Sequence, residues 1–300
     1  MTAATEPAGP TLVVLGARGQ VGHALARALA PLGRVRALGR DACDLERPEE
    51  AAAAIRALAP AAVVNASAYT AVDRAEAEAE RAHVVNAEAP GALAAAAADV
   101  DAAFVHFSTD YVFDGRKPTP YDEGDLAAPL NVYGHTKHEG ERRVAAANRA
   151  HLVFRTTWVY DPARGHNFVR TMRRLAAERP TLDVVDDQVG APTYAVVLAA
   201  AVAQVVGAAV RAPEGASAWV AERAGVYHLS AGGSTTWRGF AEALFVADGS
   251  ATAVRPIRTA DYPTPAARPA NSRLCCDRAA EVFGVRLPDW REQLRLALEP

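Results

Sequence analysis

Lysine is nearly absent from this 300-residue chain. Of its 32 lysine and arginine residues only Lys117 and Lys137 are lysines, so 32 − 2 leaves 30 arginines. Cysteine is almost as scarce: Cys43 and the adjacent Cys275 and Cys276 form neither a disulfide framework nor a metal-ligand spacing. No metal site is expected. A basic block is also missing. The arginines are scattered among acids and the net charge is −3, which excludes nucleic acid as a natural partner. The least charged stretch, 191–210, contains Thr193, Tyr194, Gln204 and Gly207 and reads as a buried helix rather than a membrane span. Residues 1–10 lack a basic segment followed by an apolar core, so they read as a frayed tail without a signal peptide, and a cytoplasmic protein is expected.

What is present is apolar. Half the residues are hydrophobic and 22% are charged, enough for one large domain or two smaller ones. Short apolar runs alternate with longer Ala-rich stretches of helical character: 11–15 then 21–32, 35–38 then 48–58, 61–66 then 84–98, 103–107 then the helix carrying Tyr133 and Lys137, and 152–155. Repeated strand-helix units predict an α/β fold, a Rossmann-like doubly wound parallel sheet with helices on both faces. After residue 158 the rhythm loosens, with prolines clustered over 256–269. The expected organisation is a dinucleotide-binding domain over 11–157 and a smaller, discontinuous substrate-binding lobe over 158–300. Segments near 181–186 and 224–232 are expected to return to the first domain.

The first run leads into Gly16-Ala-Arg-Gly19-Gln-Val-Gly22 and then a helix. This strand, glycine turn, helix order is the context of a dinucleotide fingerprint. Glycines permit the tight turn and a close approach to pyrophosphate, which rests on the positive helix N-terminus. The spacing is G-x-x-G-x-x-G rather than G-x-G-x-x-G. The second run ends in Gly39-Arg40-Asp41, where an NAD site would present a carboxylate to the ribose. Arg40 is either a partner for the 2′-phosphate of NADP or one more surface arginine, and NADPH is the expected cofactor, with NADH open as a second. Asp44 is either an acceptor for the adenine amino group or an ordinary residue preceding a helix.

The fourth run opens into Ser108-Thr109-Asp110-Tyr111, polar groups at the C-terminal end of a strand, where open α/β sheets bind ligands. On the next helix Lys137 follows Tyr133 by four residues, which places phenol and ammonium on one face. An ammonium there is expected to lower the phenol pKa from about 10. Lys117, in Gly115-Arg-Lys-Pro-Thr-Pro120, reads as an ordinary surface lysine.

With Val64-Asn-Ala-Ser-Ala-Tyr-Thr-Ala-Val-Asp73, Pro129-Leu-Asn-Val-Tyr133, Arg155-Thr-Thr-Trp158-Val-Tyr160, Asp187-Gln-Val-Gly-Ala-Pro-Thr193 and Arg268-Pro-Ala-Asn-Ser-Arg273-Leu added, the chain resembles the extended short-chain dehydrogenase/reductases, and within them the dTDP-4-dehydrorhamnose reductases. The resemblance implies hydride transfer from NADPH to C4 of a nucleotide-linked 4-keto-6-deoxyhexose. Tyr133 would be the general acid, Lys137 would hold the nicotinamide ribose, and Thr109 would donate to the carbonyl oxygen. It further implies cofactor contacts from Gly16, Arg18, Gly19, Gln20, Val21 and Gly22, from Arg40, Asp44 and Leu45, and from Ala66, Ser67 and Ala68, besides Tyr133 and Lys137. Substrate contacts would come from Thr70, Val72, Asp110, Tyr111 and Trp158, and Arg268 and Arg273 would neutralise the diphosphate. For Thr109 a strand-end cap, and for Trp158 plain packing between lobes, are the structural alternatives. Asn86 is a candidate to tune Lys137 through hydrogen bonds. A homodimer is open. A metal-linked one is not expected, because Tyr194-Ala-Val-Val197 contains no glutamate. A dehydratase would need an acidic residue where Tyr111 follows Asp110, and an epimerase would need a tightly held NAD. A related reductase of antibiotic-sugar biosynthesis and a non-catalytic NADP-binding regulatory subunit remain as alternatives.

Overall fold

The apolar runs become six strands in the computed structural model, which describes residues 9–299. They are β1 (Thr11–Leu15), β2 (Arg34–Leu38), β3 (Ala62–Asn65), β4 (Ala103–Thr109), β5 (His151–Thr156) and β6 (Gly225–His228), all paired in parallel in the spatial order β2-β1-β3-β4-β5-β6. Progress along the sheet reverses at β1. The crevice between the C-terminal ends of β1 and β3 is therefore the switch point at which such sheets hold ligands. The N-terminal tail reading falls largely on residues 1–8, outside the described residues.

Both faces are covered, as continuous apolar strands require. Along β1, Leu12 and Val14 pack under α1 (Gln20–Ala28) and the helix Ala195–Arg211, while Val13 and Leu15 pack under α2 (Pro48–Leu58) and α3 (Ala89–Asp99). Local sequence sets the helix ends. α2 starts with Pro48 and carries Glu49 and Glu50 in its first turn, with Arg56 in its last, each matching the helix dipole. α4 (Val132–Ala147) is capped by Asn131, whose Oδ1 accepts from the Gly134 N–H at 2.8 Å.

A second core joins Tyr160, Val169, Leu182, Val184, Phe240, Leu244 and Trp290. Within the stretch near 224–232, Gly225–His228 is β6 and pairs with β5 at the edge of the central sheet. The stretch near 181–186 does not join that sheet: Thr181–Val185 pairs in parallel with Ala253–Ile257 in a separate two-stranded sheet. Its composition explains this. Leu182 and Val184 are buried while Thr181 and Asp183 are exposed, so the strand has one apolar face, whereas a central strand needs two. Among the described residues no helix is long and apolar enough to cross a membrane, and no cluster of three or more His, Cys, Asp or Glu is arranged to hold a metal.

Candidate active site

The turn after β1 is built from backbone approaches that side chains would block. Gly16 has φ +78°, and a Cβ on it would lie 2.9 Å from the Ala66 carbonyl carbon and oxygen and the Ser67 nitrogen. A Cβ on Gly22 would lie 2.2 Å from the Gly16 oxygen, so α1 starts hard against the turn. The Gly19 N–H donates to the Gly16 carbonyl at 2.8 Å, and the Ala66 N–H donates to the Leu15 carbonyl. Gly16, Gly22 and the 66–68 segment thus form one cradle at the switch point, and it fits a dinucleotide pyrophosphate. Gln20 and Val21 stand in the first turn of α1. The Gln20 Oε1 accepts from Asn167 Nδ2 at 2.8 Å, tying this end to the second half of the chain.

Arg18 and Arg40 flank the end of β2. Arg18 pairs with Asp41 at 3.1 Å across Gly39, and Arg40 pairs with Glu46 at 2.5 Å and with Asp44 at 3.5 Å. Two exposed guanidiniums are therefore present at this strand end, each resting on a carboxylate. Asp44 also accepts from the Glu46 N–H and precedes α2, while Leu45 is buried.

β4 delivers Thr109 and Asp110 to the same crevice. The Thr109 hydroxyl donates to Asp110 Oδ1 at 3.1 Å and accepts from the Tyr111 N–H at 3.2 Å, so it is both a strand-end cap and a group beside Tyr133. Burial pushes the Asp110 carboxyl up to about 6, offset in part by the Ser272 and Thr109 hydroxyls. The Tyr111 and Tyr133 rings meet edge to face at 5.6 Å. Gly134 lets α4 pass close to the Tyr111 carbonyl, which a Cβ would approach to 2.2 Å.

Two expectations fail here. Lys137 does not lower the Tyr133 phenol, which burial pushes up to about 12, with the Thr109 hydroxyl acting in the opposite sense. The reason is that its Nζ is engaged elsewhere: it donates to the Phe107 carbonyl at 2.6 Å and lies 3.2 Å from His106 Nε2. Nor does Asn86 reach Lys137. It sits in a π-helical turn, Val84–Glu88, accepts from the Tyr69 N–H at 2.8 Å and donates to the Tyr69 carbonyl and the Thr136 hydroxyl. Its short amide is used up in joining that segment to α4.

Thr70 and Val72 follow the cradle on the segment leading to Asp73, with the Val72 N–H donating to the Thr70 carbonyl. Arg268 makes a bidentate pair with Asp73, at 2.9 and 2.8 Å, and donates as well to Thr264 and the Ala266 carbonyl. Arg273 donates to Asn271 Oδ1 and to the Pro118 carbonyl. Both guanidiniums are thus fixed by protein partners. Trp158 has φ +48° and stacks on Trp237 at 3.5 Å and 10°, with the Gly190 backbone against its ring. Lys117 is not an ordinary surface lysine. It donates to Asp122 and Asp125 and lies over the Tyr121 ring, pinning the loop 115–125. Sequence reasoning also passed over His106 and the buried Arg155–Glu141 pair, 2.8 and 2.6 Å. The available signal was a histidine inside the apolar strand Ala103-Phe-Val-His-Phe107.

A family model for the RmlD substrate binding domain matches residues 10–300. The chain belongs to that family. Among its curated relatives, the dTDP-4-dehydrorhamnose reductase of Burkholderia thailandensis is 48% identical over 96% of this chain and 97% of its own length, and that of Salmonella typhimurium is 44% identical over 93% and 94%. A solved dTDP-4-dehydrorhamnose reductase from Bacillus anthracis, in complex with NADP, superposes with a TM-score of 0.87 at 32% identity, covering 96% of this chain and 98% of that one. Family membership and the glycine cradle at the sheet's switch point are thus reached by separate routes.

Proposed function

We propose that this protein is an NADPH-dependent reductase of dTDP-4-dehydro-L-rhamnose, forming dTDP-L-rhamnose. The observation that carries the reading is the hydrogen bond between Thr109 and Tyr133 at the C-terminal end of β4, the strand next to β3 and its glycine cradle, in a chain whose relatives bear that reductase name. Gly16, Gly19, Gln20, Val21, Gly22 and the 66–68 segment would hold the dinucleotide, with Arg18 and Arg40 meeting the 2′-phosphate. When bound, the reduced nicotinamide supplies a hydride to the sugar carbon. Tyr133 then gives its phenolic proton to the C4 oxygen, and Thr109 donates a hydrogen bond to that oxygen as its charge develops. A phenol kept protonated by burial is the correct starting form for an acid. Thr70, Val72, Asp110, Tyr111 and Trp158 would border the sugar, and Arg268 and Arg273 its diphosphate. Residues 11–157, with β6 and the helix Ala195–Arg211, would form the dinucleotide half. Cys43, Cys275 and Cys276 are free thiols, in keeping with the reducing cytoplasm.

The test is turnover of dTDP-6-deoxy-L-lyxo-4-hexulose followed as NADPH oxidation, with NADH in parallel. Reduction with preference for NADPH is the expected result. Cofactor binding without turnover would instead identify a regulatory NADP-binding subunit.

A further inference from the structure

Asn65, His106 and Lys137 form a buried line of three polar side chains drawn from β3, β4 and α4. Asn65 Oδ1 accepts from the Ser67 N–H at 3.0 Å, which fixes the amide orientation and turns its Nδ2 toward His106 Nδ1, 3.2 Å away. Since Nδ2 can only donate, Nδ1 must accept, and the single proton of a neutral imidazole then sits on Nε2. That Nε2–H points at Lys137 Nζ from 3.2 Å. An ammonium offers only donors, so an ammonium here meets a donor. The opposite tautomer moves the same conflict to Asn65, and turning the amide moves it to Ser67. Every contact is satisfied when Lys137 is a neutral amine, accepting from His106 and donating to the Phe107 carbonyl.

We propose that Asn65 and His106 are positioning residues that set the protonation of Lys137: their hydrogen bonds are complete with the amine and frustrated with the ammonium, so the lysine readily releases its proton. The charged group that acts on it is Glu141, on its own helix, which pairs with Arg155 on β5, and the buried Asp110 carboxyl, on the segment after β4 that packs against α4, acts on Tyr133. The segment Val84–Glu88, packed on α4, presents the neutral Asn86 to Thr136. Burial acts in the same sense as His106, lowering Lys137 to about 8 against the opposing pull of Glu141. His106 itself is held well below its usual range by burial and by Lys137, so it stays neutral at physiological pH. The role in catalysis rests on the reduction proposed above. There Tyr133 is left as phenolate after its proton moves to the sugar oxygen; a Lys137 ammonium that readily releases its proton can give it back to the phenolate, revert to the amine whose hydrogen bonds His106 completes, and be reprotonated from solvent.

Because the chain has two lysines, carbon-13 lysine labelling gives two side-chain resonances, and their titration in the cofactor-free protein reads the proposal whether or not the sugar is reduced. Lys137 should titrate near pH 8 and Lys117, held by Asp125 and Asp122, above its ordinary value. Nitrogen-15 spectra of His106 should show the Nε2–H tautomer. In Asn65→Leu the Nδ1 site no longer has to accept. His106 should then move toward Nδ1–H, and the Lys137 midpoint should rise by about one unit or more, the scale of one relieved donor conflict. Burial alone predicts the reverse, since leucine makes the site more apolar. A His106 Nδ1–H tautomer in the unmodified protein, Lys137 titrating together with Lys117, or an unmoved or lowered midpoint in folded Asn65→Leu would each overturn the proposal. Should Asn65→Leu fail to fold, the tautomer and titration of the unmodified protein still decide.

Discussion

Replacing Asp110 by asparagine is expected to stabilise the protein at neutral pH and to leave its stability nearly unchanged in acid. Asp110 is 3% exposed, and burial raises its carboxyl from 3.8 to about 6. A carboxyl whose folded value is raised favours folding less as pH climbs, because the unfolded chain ionises first and the folded one must follow at a cost. The shift is about two units, and at 1.36 kcal/mol per unit the cost grows from near zero below pH 3.8 to about 3 kcal/mol above pH 6, with roughly half of it present at pH 5. Asparagine keeps an oxygen to accept from the Thr109 hydroxyl and never ionises. Any cost of a poorly placed amide would be the same at all pH values, so the pH dependence of the difference is the signature. Urea unfolding of both proteins at pH 4, 5 and 7.5 measures it. A stability difference between the two that is flat across that range would refute the assignment of Asp110 as a carboxyl held at a cost by burial.

Tyr133→Phe should retain NADPH binding and lose roughly 10²- to 10⁴-fold in turnover, as removal of a positioned acid does, and steady-state kinetics with the keto sugar would read it. Gly22→Ala should abolish NADPH binding by calorimetry, since its Cβ would meet the Gly16 oxygen at 2.2 Å and open the turn; unaltered affinity would remove the cradle from cofactor recognition. Arg40→Ala should raise KM for NADPH about three- to tenfold while leaving NADH unaffected, a modest effect because the guanidinium is exposed and already rests on Glu46. Glu46→Gln should shift the preference toward NADPH, and opposite results for these two variants would reduce Arg40 to a surface arginine.

The elements easiest to read in the sequence are those whose signal is local. Strands such as Thr11–Leu15 announce themselves as apolar runs, α2 by Pro48 and its flanking acids, and the crevice by Gly16, Gly22 and the four-residue step from Tyr133 to Lys137. What escaped depends on partners far apart in the chain. Spacing placed Lys137 near Tyr133 but could not reveal that the Phe107 carbonyl and His106 would draw its Nζ away. Nor could spacing reveal that Arg268 would be paired with Asp73, which lies 195 residues earlier. The strand near 181–186 carried a sequence signal in its alternation of polar and apolar residues, Thr181-Leu-Asp-Val184, a pattern foreign to the two-faced central sheet.

The edge strand β6 carries a consequence for how the chain acquires its structure. β5 has β4 on one side and β6 on the other, and β6 is supplied by residues 225–228, after about half of the second core has been traversed. During synthesis β5 must therefore wait, with a row of unpaired backbone groups open to a neighbouring chain, until some 70 further residues have emerged (225 − 156 = 69). A fragment ending at residue 157 would keep that edge permanently open and would lack the Ala195–Arg211 helix that covers α1. Such a fragment should aggregate rather than fold, so the dinucleotide half, though nearly contiguous in sequence, is completed only with the last third of the protein.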